Sequence, residues 1–363
     1  MKNIGIITFH YANNYGAFLQ AYSLERAIIS FGEDNNVKII DYKNKNISNE
    51  YKIISLNKIV YEKFRIKYIL KRLINIENII VRNYKFYISR KKLDIDRKKK
   101  YENYDIIFAG SDQIWNPEIL KGFDPYYFLD IQNYYGKKAT YAASFGIDLL
   151  SEKQKVQVKE LIEKINYISV REKDGIFTLQ ELTNKKLIEC IDPVFLLSKE
   201  QWIDILRNNF KEQYENDYIL VYYMGKNSNI MQDAYELSKK TNLKIVKIAY
   251  EKNIKREPQV SIKLTLNPFE FIKLFYNAKY VLTNSFHGTA FSIIFQKDFC
   301  SYKIDKKGNR IFDLLRNLNL KDRYVSKANG IFTDIINWKE TEILQKALVK
   351  NSINYLVNVI KGE

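Results

Sequence analysis

The chain has 363 residues, 46% of them hydrophobic, and a formal net charge of +17 from 59 Lys/Arg against 42 Asp/Glu. That is apolar material for two domains of ~150 residues each, without the run of ~18 apolar residues that a membrane-spanning helix needs. With only two cysteines (Cys190, Cys300) and two histidines (His10, His287), a disulfide framework and a histidine-rich metal site are excluded, and no acidic cluster suggests a metal.

In chain order, residues 4–9 (IGIITF) read as a buried strand, followed by a polar turn over His10–Gly16 and a helix over 17–31. A strand at 37–42 comes next, then a basic amphipathic helical stretch at 56–92 with a break near Asn75–Asn78. Strands follow at 104–109 and 138–143, a helix at 151–165, a strand at 167–170 and a helix at 172–182. The alternation predicts a mainly parallel sheet. At Asp192-Pro193 the proline disfavours helix, and a second set begins. It has a strand at 217–224, a helix at 229–241, a strand at 244–250, a short segment at 260–265 and a helix at 268–277. A strand at 279–283, a helix at 289–296, a strand at 298–302 and helices at 310–318 and 338–360 complete it. The predicted architecture is α/β, with two Rossmann-like domains facing a central cleft. The first domain spans 1–190, with a basic helical insertion at about 51–100. The second spans 191–337, and 338–363 packs back across the domains.

Residues 51–100 hold 16 Lys/Arg and 4 Asp/Glu, a local charge of +12. Such a field attracts nucleic acid, phosphorylated substrates or an anionic membrane. No zinc-finger spacing or RNA-recognition signature is present, which argues against nucleic acid. The abundance of Lys, Asn, Ile and Tyr also gives the chain the composition of an AT-rich genome. Within the stretch, Ile59, Val60, Phe64, Leu70, Leu73 and Ile74 recur near one side, flanked by Lys58, Lys63, Arg65, Lys67, Lys71 and Arg72. That face either packs on the first domain or lies on an anionic membrane surface. The sequence runs from Met1-Lys2-Asn3 directly into the first strand. A cytoplasmic protein is expected, with the basic stretch as the element that would hold it to the inner face of the membrane.

In open parallel sheets, ligands bind beyond the carboxyl ends of the strands. The corner after 279–283 reads Asn284-Ser285-Phe286-His287-Gly288-Thr289. His287 can exchange a proton near neutral pH, and the following helix start offers free N–H groups to an anion. A capping role for His287 is the alternative. The first corner carries Asn14, Tyr15 and Gly16 without a G-x-G-x-x-G fingerprint. After 104–109 come Gly110, Ser111, Asp112, Gln113 and Trp115. Asp112 can orient or deprotonate a sugar hydroxyl, and Trp115 either stacks on a sugar or packs under the loop. Small residues around Ser144 permit close approach of a ligand or of backbone. Arg171 follows a strand and presents a planar fork to a carboxylate or phosphate; an ion pair with Glu172 or Asp174 is its alternative role. Arg310 lies in a first helical turn, where the dipole disfavours a cation, which hints at a ligand. No Ser/His/Asp order and no H-E-x-x-H occurs.

Together the strings "NYGAFLQAYSL", "AGSDQIWNP", "YAASFG", "SVREKDG", "DPVFLL", "TNSFHGTAFSIIF" and "RIFDLLRNLNLKDR" resemble the polysaccharide pyruvyl transferase family over most of the chain. The resemblance implies a bilobal fold like that of GT-B glycosyltransferases. It implies transfer of pyruvate from phosphoenolpyruvate to two hydroxyls of a sugar, in a polysaccharide or its lipid-linked precursor, as a cyclic ketal. No cofactor beyond that donor substrate is implied. Arg171, His287 and, less closely, Arg310 match the family's donor-binding positions. His287, Asp112 and the arginines then suffice as acid, base and counter-charges. A nucleotide-sugar glycosyltransferase of the same architecture is the competing enzyme. A basic protein that binds nucleic acid or membrane without catalysis is the competing non-enzyme.

Overall fold

A computed structural model describes residues 2–32, 35–50, 73–147, 149–210, 216–225, 228–250, 259–303, 310–328, 332 and 335–362. Two parallel sheets organise the chain. The first contains β1 (Asn3–Ile7), β2 (Asn36–Ile40), β3 (Ile95–Asp96), β4 (Ile106–Asp112), β5 (Lys137–Ala143), β6 (Ile168–Val170) and β7 (Leu187–Glu189). Their spatial order is β3-β2-β1-β4-β5-β6-β7. The second contains β8 (Ile219–Tyr222), β9 (Ile245–Ile248), β10 (Val260–Lys263), β11 (Tyr280–Thr283), β12 (Asp298–Tyr302) and β13 (Tyr324–Val325). Its order is β10-β9-β8-β11-β12-β13. The central strands read as near-continuous apolar runs, Ile106-Ile107-Phe108-Ala109 in β4 for example, because helices cover both faces. In each sheet the order reverses once, between β1 and β4 and between β8 and β11. Those two switch points are where a ligand crevice is expected.

The helices are α1 (Tyr15–Ser30), α2 (Lys45–Glu50), α3 (Ile76–Arg90), α4 (Pro117–Leu120), α5 (Glu152–Ile162) and α6 (Lys173–Gln180) in the first half. The second half has α7 (Lys199–Asn209), α8 (Ser228–Thr241), α9 (Pro268–Asn277), α10 (Phe286–Ile294), α11 (Arg310–Asn317) and α12 (Trp338–Lys361). Several starts are written locally. Ser151 with Gln154, Ser198 with Gln201, and Asn267 with Glu270 form reciprocal capping boxes. Sequence patterning placed no element at 199–209, although Ser198-Lys199-Glu200-Gln201 carries the start signal of α7. It also passed over β3, β7 and β13, which are too short to show a period. Within the basic stretch, residues 51–72 lie outside the described residues, and the expected break falls at the buried Asn75.

α1 is apolar around nearly its whole circumference and is buried from Tyr15 to Glu25. Such a helix must be covered on all sides. β1 covers one side and the second half of the chain covers the other. Tyr15 stacks on Phe271 at 4.4 Å, Phe18 meets Phe269 at 5.7 Å, and Tyr22 meets Trp202 at 6.3 Å. A single apolar cluster therefore runs from Ile4 and Ile6 through α1 to Phe275 and Phe291. α12 returns to the first sheet, where the Tyr355 hydroxyl donates to the Thr140 carbonyl at 2.7 Å. Its Ser352 Oγ accepts from the Ile191 amide at 2.9 Å. No helix among the described residues is long and apolar enough to cross a membrane.

Glu25 is a buried acid of α1 whose Oε1 accepts from the Asp94 amide at 2.8 Å. Burial pushes its pKa from 4.5 up to about 7. The folded state then keeps a proton that the unfolded chain has released, so stability falls as pH rises from about 4.5 to 7. Glu25→Gln keeps the acceptor and removes the penalty. Thermal unfolding should show the variant more stable than wild type at pH 8, by up to ~3 kcal/mol, with little difference at pH 4.

Candidate active site

The carboxyl ends of β8 and β11 are tied by one side chain. Asn284 Oδ1 accepts from the Met224 amide at 2.7 Å, and its Nδ2 donates to the Met224 carbonyl at 3.0 Å. Ser285 then caps α10, which begins three residues earlier than its apolar pattern suggested. His287 thus sits in the first turn of α10, not in a solvent-facing corner. Only 13% of its side chain is exposed. The ring lies against α1, where a Cβ on Gly16 would come within 2.1 Å of His287 Nδ1. Glycine at position 16 is what lets the histidine of one sheet's corner reach the helix start of the other.

From the first sheet, Asp112 ends β4 at φ +80° and its Oδ1 accepts from the Gln113 amide at 2.8 Å. A non-glycine residue in that region is costly and marks positions held for a purpose. Arg171 follows β6 and its side chain is almost fully buried. Its Nη1 donates to Asp192 Oδ2 at 2.8 Å. Its Nη2 lies 4.0 Å from Asp112 Oδ1, and its Nε 3.6 Å from Glu172 Oε2. The guanidinium covers the Phe286 ring at 4.9 Å. Asp192, itself fully enclosed, also stands 3.8 Å from His287 Nε2. Its other oxygen accepts from the Val194 amide at 3.1 Å. One buried carboxylate therefore holds the arginine and stands beside the histidine.

Arg310 opens α11 and approaches the same place. With its amide oxygen turned toward that residue, Gln113 accepts from both Arg310 guanidinium nitrogens at 2.7 and 2.8 Å. Burial, followed by the neighbouring Arg171 charge, pushes the Arg310 pKa down to about 10. Burial also opposes the Arg171 charge, but Asp192, Glu172 and Asp112 outweigh it and move its pKa up. Burial lowers the His287 pKa below its ordinary 6.5, against the pull of Asp192 and Asp112. The imidazole is therefore uncharged near neutral pH. Four buried polar atoms lack hydrogen-bond partners here: Arg171 Nε and Nη2, Glu172 Oε2 and His287 Nε2. Such a concentration calls for a ligand or a reacting group. The adjoining cleft of about 540 Å³ is lined by Asn14, Gly16, Asp112, Gln113, Asn284, Ser285, His287 and Arg310 among others. Its size suits a small anion together with a sugar.

Several sequence candidates do other work. Trp115 is enclosed, stacked on Phe128 at 4.9 Å, with its Nε1 donating to the Tyr127 carbonyl at 3.0 Å. It supports the loop from below and presents no face to a sugar. Tyr15 is committed to the aromatic seam, because α1 turns that position toward Phe271. Ser111 Oγ donates to the Ala142 carbonyl at 2.8 Å, and Thr289 Oγ1 is bonded to Ser301 Oγ at 2.6 Å. Ser144 Oγ donates to Glu172 Oε1 at 2.5 Å, which orients that acid. Gly288 permits close approach of its own strand, since a Cβ there would meet Thr283 Oγ1 at 2.3 Å. Asp192, Glu172 and Asn284 were missed as site residues. For Asp192 the sequence showed only that Pro193 disfavours helix there and that a second set of elements begins. An acid set inside an apolar "DPVFLL" run was the available signal, because a buried carboxylate needs a partner. Among the described residues, no group of three or more His, Cys, Asp or Glu could hold a metal ion.

A profile of the polysaccharide pyruvyl transferase family matches residues 14–305. The chain belongs to that family. The second sheet's switch point and all of the residues above except Arg310 fall inside the matched region. No curated protein matches the chain. Among solved structures, UDP-GlcNAc 2-epimerase from Neisseria meningitidis bound to UDP-GlcNAc is similar at 12% identity, over 100% of both chains, with a TM-score of 0.51. A UDP co-structure of S. aureus MnaA is similar at 12% identity, over 99% of this chain and 96% of that one, with a TM-score of 0.52. At these identities the likeness shows the fold alone, a GT-B-like pair of parallel-sheet domains. The pyruvyl transferase family thus supplies the enzyme class, and the fold supplies the cleft.

Two outcomes follow from this geometry. Arg171→Ala strands the buried Asp192 carboxylate and should destabilise the transferase by ~3–5 kcal/mol in denaturant unfolding. Adding Asp192→Asn should recover more than half of that loss. Gly16→Ala should leave the melting transition within a few degrees of wild type. By displacing His287 it should lower turnover by about 10²-fold, the scale of an ångström misplacement.

Proposed function

We propose that this transferase moves pyruvate from phosphoenolpyruvate onto two hydroxyls of a sugar in a cell-surface polysaccharide or its lipid-linked precursor. The observation that carries the reading is the set of buried Arg171 nitrogens without hydrogen bonds, beside His287 and Arg310, which line the cleft. Phosphoenolpyruvate brings a carboxylate and a phosphate, whose oxygens would accept from those donors as charge-assisted hydrogen bonds. No other cofactor enters the scheme.

The steps balance as follows. A proton adds to the methylene carbon of the donor, and its central carbon becomes electrophilic. One sugar hydroxyl adds there and loses its proton to a base. The C–O bond to phosphate breaks, and a neighbouring hydroxyl closes the ketal and loses its proton in turn. One of the two released protons replaces the one spent on the methylene, and the other leaves on phosphate. Asp112, at the mouth of the cleft, serves as the base. His287 is uncharged in the empty cleft, and a phosphate beside it would raise its proton affinity. It would therefore gain its proton with the substrate and deliver it as the acid. Arg171 and Arg310 stabilise the departing phosphate.

Phosphate release from phosphoenolpyruvate, assayed against lipid-linked and nucleotide-linked sugars, tests the reading. Release only of nucleotide from a nucleotide-sugar would replace it with glycosyl transfer. His287→Gln should melt normally and turn over at least ~100-fold more slowly. Calorimetry at pH 7 in buffers of different ionisation enthalpy should show the wild type taking up more protons on binding phosphoenolpyruvate than His287→Gln does. Equal uptake would remove His287 from contact with the donor's phosphate.

A further inference from the structure

α3 is apolar on two opposite sides. Ile79 and Phe86 are buried, with Phe86 stacked on Tyr15 at 5.4 Å. On the far side Ile76, Ile80, Tyr84, Tyr87 and Ile88 are exposed, Ile80 by 50%, Tyr84 by 62% and Tyr87 by 54%, and Leu73 continues the row. At 100° per residue these six lie within roughly 120° of one another, a continuous stripe. Lys91 closes it, its Nζ 5.2 Å from the centre of the Tyr87 ring. A row of large apolar side chains left in water marks a contact surface.

We infer that this stripe docks on an anionic lipid bilayer. The charge identifies the occupant. Residues 73–100, which contain α3, carry nine Lys/Arg against three Asp/Glu, and Lys91, Arg97, Lys98, Lys99 and Lys100 among them are exposed. A second copy meeting this face symmetrically would set two such fields against each other. An anionic surface instead gains ~1 kcal/mol from each Lys or Arg near it. Tyrosine rings favour the boundary between headgroups and acyl chains, and apolar side chains enter below them. Of the sequence-derived face, Ile59 to Leu70 lie outside the described residues, and Leu73 is shared with this stripe.

The position of α3 gives the docking a use. Arg90 Nη2 donates to the Tyr11 carbonyl at 2.7 Å, and Asn13 Nδ2 donates to Asn83 Oδ1 at 2.7 Å. Lys85 Nζ donates to both Glu270 oxygens, at 3.0 and 2.9 Å. α3 thus clasps the first corner, whose next residues Asn14 and Gly16 line the cleft, and reaches the second half of the chain through α9. A bilayer beneath α3 would bring that cleft close to an acceptor carried on lipid. This use rests on the proposed reaction, but the docking itself does not.

Co-sedimentation with vesicles of phosphatidylcholine containing phosphatidylglycerol, against pure phosphatidylcholine, is the test. It contains no phosphoenolpyruvate or sugar, so it succeeds or fails independently of phosphate release. The wild type should pellet with the anionic vesicles only, and raised salt should release it. The variant Ile80→Ser/Tyr84→Ser/Tyr87→Ser, all at exposed positions, should melt as wild type does and bind at least ~10-fold more weakly. Protein left in the supernatant at low salt would overturn the inference. So would anionic binding that the triple variant retains, because charge alone would then suffice. A concentration-dependent dimer that the triple variant abolishes would assign the stripe to a second copy and overturn it as well.

Discussion

Everything about this molecule depends on covering α1. A helix with Tyr15, Phe18, Leu19, Tyr22 and Leu24 buried around its circumference cannot rest on one sheet and face water on the other side. β1 takes one flank, and Phe269, Phe271 and Trp202 take the other. The two sheets are thereby fastened along an aromatic seam, and their switch points are brought face to face. The cleft is the space left at the end of that seam, where α1 begins and the apolar packing stops.

The placement of α1 also sets the chemistry of the cleft. Its N-terminal turn presents Gly16 to His287, so the imidazole is shielded from water by backbone. Shielding favours the uncharged ring. The same enclosure would be costly for Arg171, whose charge is sustained by Asp192 at 2.8 Å and by Glu172 and Asp112 farther off. Asp192 is itself held by the Val194 amide. Cations, acids and a neutral imidazole are thus kept together in a largely buried setting, where electrostatic interactions are stronger than in bulk water. Of the two sequence alternatives for Arg171, the structure displays the ion pairing, and two of its buried nitrogens have no hydrogen bond.

α3 belongs to the same logic from outside. It packs Phe86 against Tyr15 at one end of the seam and reaches Glu270 across it. Its opposite face is exposed among the described residues.

What the amino-acid order determined by itself was local. Apolar runs between turn residues wrote the parallel strands, and the strand ends marked where Asp112, Arg171 and His287 would stand. The first helix was legible as well, over 17–31. The short strands β3, β7 and β13 left no periodic trace, and α7 went unread despite its capping box at Ser198 and Gln201. Tertiary structure alone decided which strand-end residues share a site. Asp192, 21 residues from Arg171 in the chain and nearly 100 from His287, meets both only because two sheets close on one helix. It also decided that Trp115, Tyr15 and Thr289 face inward, since a side chain's direction at a corner depends on what packs beneath it. The physical reason is range. Periodicity and capping act over a few residues and are written in sequence, whereas burial and ion pairing are settled by groups that meet only after the chain has folded.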